Sequence, residues 1–513
     1  MANAPGVIVN VSAAPSSTTP PTATGQWFVL GVAAGPAGVV VPVRSVGDFA
    51  NYFGQIVNTA LTGRYTLNAN VSSVSLYDAL DVYFREGGAV AYVSRVNAAA
   101  SVVAATSAVA GNFILTASGG GTWANSSSAN ASGLILTITG STVASTTVQT
   151  VSLAYNGVVL ATATGLITDT DVINWINSLT PAFCTAAAQV HTTILPASGS
   201  TVSVYFTGGT DVAVADSDVA AALLPFNILY GPGQVSYPGN TDAAVYVSLA
   251  THAQNFNRVA VLDGANTATA ATLTAAVATL QSTAGLDPSY ASFFAPWLVV
   301  PGVVNVNPSL PSATVFNRTV APCALAAAAM ALNDASNDSN NAAAGVSNGN
   351  SIYSTNVSQV YSVSDRGLLN AAGVNVIRII PNRNVIAIYG FRSAAFDANW
   401  VYLNNVRFRM QMVRDFDVIG EGFVFQEIDG QGKLISAFNG ALAGKCQQYW
   451  VRGSLYGQTS AQAFVVNTGS ALNTAATIAA NHLVASVSVK MSPFAEQVTI
   501  NVTKYLASSV LAA

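Results

Sequence analysis

Charge is what this chain has least of. Of its 513 residues, 18 are Lys or Arg and 22 are Asp or Glu. That is 8% of the sequence, against about 25% in an ordinary soluble chain. Histidine is nearly as scarce: His191, His252 and His482 are far apart and leave little for acid–base chemistry or a metal centre. The three cysteines, Cys184, Cys323 and Cys446, are odd in number and form no C-x-x-C pair. This excludes a disulfide framework and a zinc site, and suits a reducing cytosol at synthesis. Long apolar runs are missing too, although 51% of the chain is hydrophobic and its mean hydropathy is +0.45. The densest stretch, 320–332, contains Pro322 and falls well short of the roughly 20 residues of a spanning helix. Met1-Ala2-Asn3-Ala4-Pro5 offers neither the basic head nor the apolar core of a secretory signal. What is present, 9% aromatics with abundant Val, Ile and Leu, excludes disorder. The expectation is a multidomain chain with too few charges for a monomer's surface, burying much of its outside against copies of itself.

The net charge of −4 is no signature of nucleic-acid or membrane-surface binding. Its distribution is uneven. No Lys or Arg occurs between Arg95 and Arg258, where Asp169, Asp171, Asp211, Asp216, Asp218 and Asp242 are the charges. From Val360 onward, 12 basic and 8 acidic residues give a net +4. Such a contrast suggests regions that face different neighbours.

Residues 1–25 read as an extended arm, a β-prone Val7–Val11 run followed by Pro15, Pro20 and Pro21 among Ser and Thr. A strand–helix–strand rhythm occupies 26–96, with strands at 27–33 and 89–96 and helices near 45–54 and 77–84. Alternating β-type runs at 113–116, 134–138, 148–155 and 202–206 predict an inserted β-sandwich over 97–210. Its single helix, at about 172–179, would be capped by Asp169 or Asp171. From 211 to 370 the αβ alternation resumes, with strands at 227–230, 258–262 and 297–300, helices at 240–255 and 266–282, and a low-complexity loop at 333–351. The part from 371 to 495 predicts a strand at 385–391, helices at 400–416 and 434–449, and strands at 464–466 and 483–489. A second extended arm, 496–513, includes an alternating run at 498–502.

Motifs that could carry chemistry fail on context. Gly345-Val346-Ser347-Asn348-Gly349 matches a nucleophile elbow but lacks the strand before it and the helix after it. Gly440 to Cys446 resembles a P-loop with one residue too few and no hydroxyl for magnesium. Asp263, closing the apolar run Val259-Ala260-Val261-Leu262, stands where subtilisin-type proteases place their triad acid. Only His482 follows it, and no serine motif completes the arrangement. No catalytic, cofactor or metal residues are assigned.

Several segments together resemble the contractile tail sheath proteins of bacteriophages. They are Pro5-Gly6-Val7-Ile8-Val9; Gly31 to Pro36 with Ser45-x-x-Asp48-Phe49-x-x-x-Phe53-Gly54; and Phe84-x-x-Gly87-Gly88-x-x-x-Tyr92-Val93-x-Arg95-Val96. Next come Gly120-x-x-Trp123-Ala124-Asn125, Thr207-Gly208-Gly209-Thr210-Asp211, and Leu368 to Asn375. Gly390-Phe391-Arg392-Ser393 with Trp400-x-Tyr402-Leu403-Asn404-x-x-Arg407 completes the series, which keeps the family's order. Phe391 replaces a small residue, and Leu310-Pro311-Ser312-Ala313 stands for the family's Pro-Pro-Ser-Gly.

The resemblance implies an α+β multidomain structural subunit. Its middle domain would be subtilisin-like but without catalytic residues, the β-insertion would lie outside, and the C-terminal domain innermost. It implies a helical homopolymer around a tail tube protein, in contact with baseplate and tail terminator proteins, with no direct nucleic acid and no membrane insertion. The location would be the virion tail after synthesis in the host cytoplasm. The terminal arms would add strands to neighbouring subunits. The alternating residues Val7, Ile8, Val9 and Val11 at one end, and Val498, Ile500 and Val502 at the other, suit that exchange. The basic residues Arg407, Arg409, Arg414, Lys433 and Lys445 are the expected tube-facing set. Two rival readings are the sheath of a bacteriocin-like or other bacterial injection machine, and a secreted β-rich surface or adhesion protein.

Overall fold

Runs such as Trp27-Phe28-Val29-Leu30 and Val259-Ala260-Val261-Leu262 are apolar at consecutive rather than alternate positions, which suits strands covered on both faces. Both are buried in the centre of a nine-stranded sheet. The computed structural model describes residues 24–53, 76–98, 113–188, 195–302, 317–500 and 504, with the backbone of 57–59, 64–66 and 106–109. They fall into two compact units, one ending at Gln426 and one beginning at Glu427.

In the first unit the sheet order is Asn350–Ser351, Val385–Ile388, Val374–Ile380, Ala291–Ala295, Val259–Asp263, Gln234–Ser236, Trp27–Gly31, Ala91–Arg95 and Val41–Val43. The six inner strands are parallel. The outer ones pair antiparallel. The chain steps one way along the sheet from Trp27–Gly31 to Ala91–Arg95, and the opposite way through the later strands. Right-handed crossovers therefore place Leu76–Arg85 on one face. They place Val219–Leu223, Ala243–Asn255, Ala270–Gln281 and Val363–Ala372 on the other. Leu76–Arg85 packs on Cys323–Ser336, the alanine-rich helix within the apolar stretch noted above. Residues 323–328 of that helix are at most 1% exposed, since alanine lets a helix lie close to its neighbours on every side.

Distant segments are pinned by the few charges. Arg318, 1% exposed, donates from Nη1 to Asp78 (2.6 Å) and from Nη2 to Asp81 (2.6 Å). Glu86 accepts from the Ser351 hydroxyl and from the main chain of Ile352 (2.9 Å) and Tyr353 (3.1 Å). Arg407 bonds Asp334, which also accepts from the Thr24 hydroxyl. Asn375 reaches Ser292 Oγ, and its Oδ1 accepts from Arg392 N at 2.7 Å, clamping the Gly390–Ser393 turn to the sheet. The pair Gly87-Gly88 has a steric reason. Gly87 has φ +101°, and a Cβ on Gly88 would fall 2.3 Å from the Tyr83 ring.

The insertion has two antiparallel sheets and one helix around a shared core. One sheet runs Val158–Leu166, Thr146–Tyr155, Leu134–Val143, Thr201–Tyr205; the other runs Cys184–Ala188, Phe113–Ala117, Thr106–Val109. The core includes Leu136, Val151, Phe113, Cys184 and Ile176 of the helix Asp169–Ser178. Its exit is held to the 122–125 segment: Thr122 N and Oγ1 donate to Asp211 (2.9 and 2.6 Å), and the Asn125 side chain pairs with the Gly209 main chain.

Several expectations are corrected. Thr168, not Asp169 or Asp171, caps the insertion helix, while Asp171 closes the capping box. The strand expected at 227–230 is a 3₁₀ turn, Ile228–Tyr230, capped by Asn227; the strand follows at Gln234–Ser236. The supposed loop 333–351 continues a helix to Ser336 and contributes the edge strand Asn350–Ser351. A division at 371 does not fit either, because Val374–Ile380 pairs with Ala291–Ala295 inside the same sheet.

Replacing Arg318 by Leu would leave Asp78 and Asp81 buried without a cation, which costs about 3–5 kcal/mol. We expect a large fall in thermal midpoint for Arg318→Leu, measured by calorimetry, with a smaller one for Arg318→Lys.

A filled crevice and candidate assembly surfaces

Open parallel sheets bind ligands outside the C-terminal ends of their strands. Here that position is occupied by protein. Asp263 ends its strand fully enclosed, with Oδ1 accepting from Cys323 N (2.7 Å) and Oδ2 from Gly239 N (2.9 Å). Its main-chain oxygen accepts from the Tyr246 hydroxyl at 2.5 Å. Burial pushes the Asp263 carboxyl up to about 6, against the lowering effect of its donors. Cys323 lies against Asp263 and Ser236; burial first, then the Asp263 charge, raises its thiol well above the usual range. Trp297 Nε1 donates to Gly264 O at 2.7 Å beside this cluster. The aspartate thus caps the positive end of the helix Cys323–Ser336 and tethers the 239 loop.

His252 does not complete a triad with it. His252 accepts from Arg258 Nη1 (2.8 Å) and stacks near Phe256. Burial and then the Arg258 charge hold its imidazole down to about 3. Arg258 itself donates to the Phe226, Asn227 and Gly231 carbonyls and lies 3.8 Å from the Phe28 ring. His482 belongs to the second unit, and His191 lies outside the described residues.

The expected tube-facing cations separate. Arg407 and Arg409 are corrections, because both point into the first unit from the helix Leu403–Glu421. Arg407 is 2% exposed on Asp334. Arg409 sits 4.5 Å from the Tyr290 ring and 4.4 Å from the Trp400 ring, and bonds Ser289 Oγ at 3.1 Å. Their place in the basic C-terminal third made them tube-facing candidates; Asp334, Ser289 and Tyr290 are distant in sequence, and of their partners Trp400 alone, nine residues before Arg409, lies close. Arg414 is partly buried beside Asp415. Lys433 is exposed, and Lys445 is half-buried with Nζ 5.2 Å from the Tyr449 ring.

The second unit is built on the helix Lys433–Val451, whose start is closed by Asp429 accepting from the main chain of Gln431, Lys433 and Leu434. Against it lies an antiparallel pair, Phe464–Asn467 and Ser486–Val489. Among the described residues neither strand has a second neighbour, and Val465 is 57% exposed. The main chain past Met491 forms no strand up to residue 500, where Val498 and Ile500 are 75% and 80% exposed. Val7, Ile8, Val9, Val11 and Val502 lie outside the described residues.

Solved structures decide what this architecture is. A chain of the anti-feeding prophage baseplate superposes with TM-score 0.57 at 16% identity, over 99% of this chain and 100% of that one. The sheath tail protein of Listeria innocua matches with TM-score 0.53 at 13% identity over 90% of both chains. The contracted helical sheath of the anti-feeding prophage matches with TM-score 0.52 at 15% identity over 98% and 99%. This is the tail sheath fold. No family model and no curated protein matches the sequence, so the sheath likeness is one of fold.

Two changes probe the crevice. Asp263→Ala would leave two buried N–H groups unpaired, costing about 1–3 kcal/mol each, and should lower the thermal midpoint more than Asp263→Asn. His252 titrates near 6.5 when unfolded and about 3 when folded, so its contribution is complete above 6.5 and lost as pH falls toward 3. Asp263 acts oppositely: the stability it adds below its ordinary 3.8 is lost as pH rises through about 6. Urea midpoints between pH 7 and 4.5 should therefore fall less in His252→Gln than in the parent.

Proposed function

We propose that this chain is the structural subunit of a contractile tail sheath, polymerising helically around a tail tube and shortening to drive that tube through a cell envelope. The observation that carries this is the match to sheath structures from end to end, a contracted helical sheath among them. In this reading the first unit outside the insertion forms a subtilisin-like α/β core that performs no catalysis. The insertion 97–210 is the outer sandwich, and the unit beginning at Glu427 carries the tube-proximal surface. The particle is a phage tail, or the injection machine of a bacterium; neighbouring genes distinguish the two. Baseplate, tube and tail terminator proteins are its partners.

The terminal segments are the links. An exposed strand pair such as Phe464–Asn467 with Ser486–Val489 offers unpaired main-chain groups that an incoming strand satisfies, while pockets take alternate side chains. Val7, Ile8, Val9 and Val11 of one subunit, and Val498, Ile500 and Val502 of another, are the residues assigned to that exchange. Such links persist while the domains between them rotate, the Pro-rich stretch to Pro21 acting as tether. A neutral subunit exterior favours contraction, because apolar repacking avoids desolvating charge.

Purified protein should form hollow, ridged tubes in negative-stain images; dispersed monomers would count against the reading. Removing residues 1–20 should abolish the linked polymer without unfolding the subunit, and intact assembly and contraction would sink the tether. With Arg407 and Arg409 internal, the cations left to face the tube are Arg414, Lys433 and Lys445. Lys433→Glu is expected to weaken sheath–tube co-sedimentation while leaving the thermal midpoint unchanged.

A further inference from the structure

The helices Val219–Leu223, Ala243–Asn255, Ala270–Gln281 and Val363–Ala372 form a single layer over one face of the central sheet. Exposed helix faces in soluble proteins ordinarily carry charge. These four helices hold two acidic or basic residues, Asp365 and Arg366. Asp365 closes a capping box with Ser362, and Arg366 donates to the Tyr361 carbonyl, so both are tied locally at one helix start. The outward residues are instead small, aliphatic or neutral polar, such as Thr251, Asn255, Thr272 and Thr279. Ala271, Ala275 and Ala278 line the third helix, where they are exposed. Leu224, Val363 and Leu368 are 77%, 77% and 61% exposed. The opposite face behaves differently: Leu76–Arg85 carries Asp78, Asp81 and Arg85, all in ion pairs.

We propose that this neutral helix layer is a contact face for a second copy of the chain. The occupant follows from charge. A partner presenting ordinary charged residues would have them stripped of water with no counter-charge to meet, a cost of several kcal/mol per ion. The covering surface must therefore be as poor in charge as the layer itself. This chain has such surfaces: no charged residue occurs between Arg95 and Asp169. The outward face of its four-stranded sheet shows a hydroxyl row of Thr201, Thr139, Thr150 and Thr164 across successive strands. Alanine at Ala271, Ala275 and Ala278 permits close approach with little side-chain entropy to lose. A layer on one copy meeting a different surface on the next is a heterologous contact, which generates open helical arrays.

This inference rests on the polymer reading above, and the test separates the two. Ala275→Glu/Ala278→Glu is compared with the parent by sedimentation and negative-stain counting of polymer, with the thermal midpoint as the check on folding. We expect at least a tenfold loss of polymer, unchanged melting, and normal assembly of Ala275→Ser. If the charged variant polymerises like the parent, the contact face is overturned and the sheath reading stands. If the parent stays monomeric at every concentration, both fall. Should the charged variant fail to fold, benzophenone-maleimide on Ala275→Cys supplies the answer, since Cys184, Cys323 and Cys446 are buried. Cross-linked peptides from a second copy support the proposal; their absence from assembled material overturns it.

Discussion

The guanidinium of Arg318 between Asp78 and Asp81 is the contact on which the first unit depends. Its partners come from a helix that precedes the insertion, whereas Arg318 comes from a strand that follows it. Between them lie more than two hundred residues whose ordering is opposed by loop-closure entropy. A buried ion pair adds little net stability over an apolar substitute, but any packing that separates its members leaves charge uncompensated inside. Arg407 on Asp334, and Glu86 on the main chain of Ile352 and Tyr353, work the same way. Each joins segments far apart in sequence, and together they make the correct closure of the sheet distinguishable from near misses.

This explains why scarcity of charge does not mean scarcity of specificity. Asp78, Asp81, Glu86, Arg258, Asp263, Arg318 and Arg407 are all buried. These buried charges select one fold, while the charges left outside, such as Asp211, Asp242, Arg383 and Lys433, are sparse. Asp263 shows the conversion most clearly. A carboxylate at the end of a central strand is a position from which enzymes do chemistry, yet here both oxygens are committed to main-chain donors of Cys323 and Gly239. Tyr246 bonds the Asp263 main chain and Trp297 that of Gly264, so both side chains brace the end of the strand.

Much of this was legible in the residues. Consecutive apolar runs at 27–30 and 259–262 identified buried parallel strands, and alternation at 134–138 and 148–155 identified the insertion's core face. The quoted motifs mark real contacts as well: Asn125 pairs with Gly209 beside the Thr122–Asp211 bonds, and Asn375 holds Gly390–Ser393. What was missed shares a cause. Gln234–Ser236 and Ala291–Ala295 are short strands formed by their neighbours, with little periodicity of their own. Ser339 and Asn340 look like loop residues by composition, but their polar groups are satisfied by Gln411 and Asn404 across the fold. Arg407 and Arg409 read as surface for a similar reason: their burial is decided by Asp334 and Tyr290, far away in sequence, together with the nearer Trp400.

The interior pairs and the charge-poor helix layer would be two consequences of one constraint. In the sheath proposed, a subunit that exchanged neighbours during contraction would gain from surfaces that slide and repack without breaking ion pairs, since each such pair would add a desolvation barrier to the movement. The same subunit must keep its own fold while those surfaces rearrange. Directional, geometry-sensitive interactions are therefore best placed inside, and non-directional apolar ones outside, where contact area changes and internal geometry does not. The cluster at Arg318 and the alanines at 271, 275 and 278 are the two ends of that division.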